Sequence, residues 1–215
     1  MVDIKDIKNK LQNMKPVLGY DDYEIFSVML LLTEINDKLH IIFEKRAENI
    51  KQGGEICLPG GKYSNIDGSL DITAVRETKE EIGISEDKIE IIGKLPPFVV
   101  PMGFLIETYI GFTKENIYEY SINKDEVELL FSLPLEYFYQ NNPQQYEIVI
   151  DIKPYFEKNG EKVILFPTKE LGLPPKYHEK WGGIKNKIYL YKTDYGPLWG
   201  ITAKIIFEFI KIIRG

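Results

Sequence analysis

Apolar residues along this chain change their spacing several times, and each change marks an element. Residues 3 to 14 place Ile4, Ile7, Leu11 and Met14 three and four apart, the period of an amphipathic helix, and Pro16 ends it. The run YEIFSVMLLLTEI, Tyr23 to Ile35, is dense in strand formers, and Asn36-Asp37 supplies a turn into a second strand, LHIIFEKRA, so the two predict a hairpin. ICLP reads as a short strand that Gly60-Gly61 break, before a loop ending near Gly68. From Ser69, SLDITAVRETKEEIG has helical spacing, with Leu70, Ala74, Val75 and Ile82 inward and Gly83 at the C-cap position. Strands follow at IEIIGKL and FLIETYIGF, joined by a proline-containing loop. DEVELLFSLPLEYF is expected to start helically and turn extended, QQYEIVIDI and KVILF to pair as a hairpin, and KIYLYK to form another strand. WGITAKIIFEFIKII is expected to be a closing helix, over 199–214. Mixed strands flanked by a few helices predict an α/β sandwich around a mixed sheet rather than a strictly alternating parallel fold. Residues 1–215 are expected to make one domain, with 1–16 as a helical extension.

Composition narrows the function. With 27 basic and 33 acidic residues the formal charge is −6, which disfavours a partner bound by bulk positive charge, so nucleic acid is not expected. The lone cysteine, Cys57, suits a reducing compartment, and a cytoplasmic location is expected. The N-terminus lacks the uninterrupted apolar core of a secretory signal. The C-terminal run is broken by Lys204, Glu208 and Lys211 and is too short to span a bilayer, so no membrane association is expected.

The chemistry concentrates in LPGGKYSNIDGSLDITAVRETKEEIGI, residues 58–84. Glu77, Glu80 and Glu81 lie at i, i+3 and i+4, so three carboxylates crowd one side of a helix. Their repulsion is relieved by a divalent cation, and hard carboxylate oxygens suit Mg²⁺ or Mn²⁺. Gly60-Gly61 can bring backbone groups close to the same place. Arg76 starts on another side of the helix and can reach round to orient a carboxylate or the loop. A glutamate-rich face alone would be read as solvated; the glycine pair and the order Arg-Glu-x-x-Glu-Glu-x-Gly together turn the reading toward a metal site. Cys57 reads as core, His40 and His178 lack ligand spacing to each other, and Trp181 and Trp199 read as core or rim more simply than as a base-stacking platform.

This segment resembles the Nudix box, with Gly61, Arg76, Glu77, Glu80, Glu81, Gly83 and Ile84 in the expected places and Thr78 in a hydrophobic slot. The glycine-to-arginine spacing is one residue longer than usual, and Asp67 stands where the box has its first glutamate. The longer loop resembles the coenzyme A diphosphatase branch, as does the preceding IFEKRAENIKQGGEICLPGG. There Arg46, Lys51, Gly54 and Pro59-Gly60-Gly61 agree in kind, while Ala47, Lys51 and Leu58 replace a serine, an arginine and a phenylalanine. The resemblance implies a Nudix-like α/β/α sandwich and metal-dependent hydrolysis of a nucleoside diphosphate linked to another group. Glu77 and Glu81, with Glu80 and Gly61, would hold the cation. Glu80, Glu81, Arg76 and Glu126 are the catalytic candidates, with Glu126 or a box glutamate as base. Arg46, Lys51, Gly60 and Gly61 are the substrate-binding candidates. Coenzyme A or an acyl-CoA is the leading substrate. ADP-ribose or another nucleoside diphosphate is the alternative, and a non-catalytic nucleotide-binding module the second. A small-molecule substrate is the expected partner, and a homodimer is allowed for.

Overall fold

The computed structural model describes residues 4–11 and 15–215. Helix α1 (Ile4–Leu11) is present, with Ile4 and Leu11 exposed; Met14 and the side chain of Ile7 lie outside the described residues. The expected hairpin forms from β1 (Glu24–Ile35) and β2 (Lys38–Arg46). Asn36 and Asp37 turn it with φ of 52° and 60°, the left-handed pair that suits a two-residue hairpin loop.

The two strands pair with each other only from Leu32↔Ile41 to Ile35↔Lys38. Farther from the turn each takes a short partner instead: β3 (Ile56–Cys57) pairs with β2, and β4 (Gly60–Lys62) pairs with β1. Pro59, between them, accepts the Met29 N–H at 2.8 Å. Gly60-Gly61 therefore do not interrupt a strand, as the sequence suggested; they are strand residues, wedged where the two central strands separate.

On its other side β1 runs parallel to β7 (Phe104–Thr113), which also carries β5 (Glu90–Lys94) and β6 (Phe98–Val100) antiparallel. Strand β8 (Val127–Pro134) pairs with β2 and runs into α3 (Leu135–Gln140). The expected helical start of DEVELL is a turn followed directly by β8, because Val127, Leu130 and Phe131 are buried from an extended backbone. A second sheet has the order β13 (Gly196–Trp199), β12 (Trp181–Thr193), β9 (Gln144–Ile152). The expected pairing of QQYEIVIDI with KVILF does not occur. Strand β9 pairs with β12, and β11 (Glu161–Ile164) pairs with β10 (Tyr155–Lys158) across an Asn159-Gly160 turn, both with positive φ.

Alternation along β1 sorts the core into two layers. Leu30 and Leu32 join Ile41, Phe43, Phe131 and Phe138 against β12, β13 and the closing helix α4 (Gly200–Arg214). Met29 and Leu31 join Ile42 and Leu130 against Ala74, Ile82 and Ile84 of α2 (Leu70–Ile82) and the segment after it. The molecule is thus a mixed sheet with α2 on one face and the small sheet with α4 on the other. Among the described residues no helix is long and apolar enough to cross a membrane.

Candidate active site

Helix α2 is placed by its buried face and by two fixed ends. Ala74 and Ile82 are fully buried, and Thr78, in its apolar slot, is also buried because its hydroxyl donates to the Ala74 carbonyl at 2.7 Å. Ser27 Oγ, from β1, donates to the Leu70 carbonyl at the first turn. Gly83 closes the helix at φ 86°, its N–H bonding the Lys79 carbonyl at 2.8 Å. This register points Glu77 and Glu81, one helical turn apart, at the glycine wedge of β4.

Contact is close at both. The Gly60 N–H donates to Glu81 Oε2 at 2.9 Å. Gly60 has φ of +152°, and a Cβ there would lie 2.6 Å from Val28 Cα. At Gly61 a Cβ would overlap the Glu77 carboxylate itself. The first glycine lets the backbone reach Glu81, and the second leaves room for Glu77.

Arg76 does reach round the helix, and it is the hub of the site. Its guanidinium donates to Glu77 Oε1 at 2.7 Å, to Glu80 Oε2 at 2.8 Å, and to both oxygens of Asp67 at 2.7 and 3.1 Å. Asp67, whose side chain is 3% exposed, also accepts from Thr73 Oγ1 at 2.8 Å. Hydrogen bonds from Arg76 hold the Asp67 carboxyl down at about 2. The residue that replaces the box's first acid is therefore the anchor of Arg76.

Glu80 does not join the other two. Successive helical residues diverge by about 100°, so Glu81 turns to the sheet while Glu80, 53% exposed, lies along the surface with Arg76. Among the described residues no three Asp, Glu, His or Cys side chains are gathered at metal-holding distance. Of the three carboxylates expected on one side of the helix, Glu77 and Glu81 face the glycine wedge and Glu80 bonds Arg76 at the surface.

A further acid, absent from the candidates the sequence offers, stands behind this pair. Glu44 of β2 is 1% exposed. Its Oε1 accepts the Cys57 thiol at 3.2 Å, and its Oε2 is buried with no hydrogen-bond partner among the described residues. Period two from Ile42, which faces α2, was the available signal. Burial raises Glu81 well above the carboxylate range, and the neighbouring Glu44 charge raises it further. Burial likewise raises Glu44, against the opposing effect of the thiol hydrogen bond. Burial raises Glu77 too, partly offset by Arg76. Cys57 is not a poised nucleophile: burial and Glu44 push its thiol well up.

This donor set fits a divalent cation. Crowded carboxyls raised by burial, an unpartnered buried Glu44 oxygen and a Gly61 whose missing Cβ lets the Glu77 carboxylate lie against the backbone all gain from a hard positive ion. Glu77 and Glu81, beside the Gly61 backbone, are the residues that could hold it.

The remaining candidates divide. Arg46 is half-buried, and its charge opposes the upward shifts of Glu44 and Glu81, so it lies on the site. Its Nε donates to the Lys51 carbonyl at 3.2 Å, while the Lys51 side chain is exposed on the neighbouring turn. Glu126 sits exposed in the turn before β8, its carbonyl accepting the Ala47 N–H, and its charge bears on Glu44 and Glu77. His40 bonds Ser132 and His178 bonds the Leu173 carbonyl, both away from this cluster.

The chain is 36% identical over 122 residues to the mouse peroxisomal coenzyme A diphosphatase NUDT7, a match covering 56% of this chain and 50% of that protein. It is 27% identical over 167 residues to an uncharacterized Nudix hydrolase NudL of Yersinia enterocolitica, covering 77% of this chain and 70% of the relative. The chain thus spans half the length of the mouse protein. A MutT/nudix family protein from Enterococcus faecalis superposes with a TM-score of 0.47 at 17% identity, over 99% of this chain and 70% of the other. The profile of the NUDIX domain matches residues 26–179, from within β1 to just before β12 and spanning the whole carboxylate site, and the chain belongs to the NUDIX domain family.

Proposed function

We propose that the protein is a divalent-cation-dependent pyrophosphohydrolase that cleaves the diphosphate of coenzyme A or an acyl-CoA. The products are 3′,5′-ADP and 4′-phosphopantetheine or its acylated form. The observation that carries the reaction class is the Glu77–Glu81 pair closed against Gly60-Gly61 and braced by the Arg76–Asp67 ion pair. Similarity to the mouse coenzyme A diphosphatase supports the substrate class. The acidic net charge and lone thiol favour a cytoplasmic location and give no support to nucleic acid as a partner.

Glu77 and Glu81 are positioned to hold Mg²⁺ or Mn²⁺. Such an ion, when bound, neutralises diphosphate charge and lowers the pKa of water. The chain's own residues set the geometry. The Gly60 N–H fixes Glu81, Arg76 fixes Glu77, and Asp67 keeps Arg76 from turning to solvent. Arg46 places a positive charge beside the carboxylates, where a diphosphate would lie. Water adds to one phosphorus as the bridging P–O bond breaks, and Glu126, whose charge bears on Glu77, or a box glutamate is the base this reading assigns to take the proton.

A panel of coenzyme A, acetyl-CoA, ADP-ribose and a nucleoside triphosphate, each with Mn²⁺, tests this by kcat/KM. Coenzyme A or its thioester is expected to lead by at least about tenfold, the ratio that about 1.4 kcal/mol of differential binding supplies. Preference for ADP-ribose would overturn the substrate, and turnover of none would replace the enzyme with a nucleotide-binding module.

A further inference from the structure

The Glu44 carboxylate is not used by the mechanism above, and its surroundings are unusual for a structural residue. It lies on the α2-facing side of β2, 1% exposed, one oxygen held by the Cys57 thiol and the other buried without a partner. A buried acceptor left unsatisfied carries a desolvation cost that native folds seldom leave unmet. Among the described residues no basic side chain pairs with it. Arg46, the nearby cation, spends its Nε on the Lys51 carbonyl, and the other charges acting on Glu44 are Glu77 and Glu126. Glu44 is in turn the charged neighbour that acts most strongly on Glu81. Glu44 of β2 thus stands close enough to the α2 pair for its charge and those of Glu77 and Glu81 to act on one another, and the Cys57 hydrogen bond orients it.

We propose that Glu44 is a positioning residue of the cation site, whose unpartnered Oε2 accepts a hydrogen bond from the hydration shell of the cation held by Glu77 and Glu81. Mg²⁺ and Mn²⁺ keep several waters when bound by few carboxylates, and those waters need acceptors with the charge and placement that Glu44 offers. The proposal rests on the cation reading of Glu77 and Glu81 and adds to it a residue from outside the box helix. It also gives Cys57 a task, fixing which oxygen of Glu44 stays free.

The test is Mn²⁺ binding to the full chain without substrate, read from the electron paramagnetic resonance signal of free Mn²⁺. Thermal melting of the cation-free proteins runs alongside. Glu44→Gln keeps the shape and removes the charge; it is expected to weaken Mn²⁺ at least about tenfold, as outer partners of metal ligands do, with cation-free melting unchanged or higher. Glu44→Asp keeps the charge but withdraws it by one methylene, and is expected to weaken Mn²⁺ several-fold; it decides the matter if Glu44→Gln does not fold. Cys57→Ala is expected to leave Mn²⁺ affinity within a few-fold. Glu44 variants that melt differently but bind Mn²⁺ as the wild type does would reduce Glu44 to a structural role and overturn the proposal. Loss of binding in Glu81→Gln alone would keep the cation reading and remove Glu44 from it, whereas a wild type that binds no Mn²⁺ would remove both.

Discussion

Replacing Asp67 by Asn removes one charge and little volume, and the structure sets the cost. The carboxylate takes two hydrogen bonds from Arg76 and one from Thr73, and its side chain is 3% exposed, so solvent screens it weakly. Its pKa in the fold is about 2, against an ordinary 3.8. At about 1.36 kcal/mol per pH unit, that difference corresponds to about 2 kcal/mol of stability at neutral pH. With a urea dependence of about 2 to 3 kcal/mol per molar, Asp67→Asn should lower the urea midpoint by roughly 1 M at pH 7. The pH dependence follows from the sign. A carboxyl with a depressed pKa contributes fully above its unfolded value and loses that contribution as pH falls toward its folded value. The gap between wild type and variant should therefore be constant from pH 5 to 7, narrow below about pH 4 and approach zero near pH 2. A gap under about 0.5 kcal/mol at pH 7, or one that persists undiminished at pH 3, would refute Asp67 as the anchor of Arg76.

The two glycines should fail differently. Gly61→Ala meets the movable end of Glu77, so melting should change little while turnover falls by about 10² or more. Gly60→Ala meets the β1 backbone at a φ of +152° and should cost about 2 kcal/mol or more in urea unfolding. Glu81→Gln keeps an acceptor for the Gly60 N–H and resembles the protonated carboxyl that burial favours in the cation-free fold, so that fold should be no less stable while turnover drops about 10³-fold. Burial and mutual repulsion raise Glu81 and Glu44, so the cation-free fold binds protons there that the unfolded chain releases. Its stability should therefore fall as pH rises above the ordinary 4.5 and through the raised values, and the melting gain on adding Mg²⁺ should be larger at pH 8.5 than at pH 6. An equal gain at both would count against protonated carboxyls at the cation site.

Local chemistry was legible wherever the signal and its consequence were close in sequence. Asn36-Asp37 announced the hairpin, Gly83 the end of α2, and the helical spacing of Ala74 and Ile82 its buried face. What failed depended on partners far along the chain. QQYEIVIDI was legible as a strand, but nothing in its alternation distinguishes β11 from β12 as its neighbour. Val127, Leu130 and Phe131 satisfy a helical spacing as readily as a buried strand, and only pairing with β2 decides between them. At the site, the sequence brought together Gly60, Gly61, Arg76, Glu77 and Glu81 and correctly let Arg76 reach round. It could not show that helical geometry sends Glu80 outward, that Asp67 serves Arg76, or that β2 carries Glu44 inward behind Glu81.

Hydrolysis of the coenzyme A diphosphate at the Glu77–Glu81 site can be read from a single reaction. Purified wild type and Glu81→Gln are incubated with coenzyme A and Mn²⁺, and the products are weighed by mass spectrometry. The wild type should yield 3′,5′-ADP and 4′-phosphopantetheine in equal amounts and the variant at most a trace. Intact coenzyme A after incubation with a wild type that cleaves ADP-ribose, or equal product from both proteins, would contradict it.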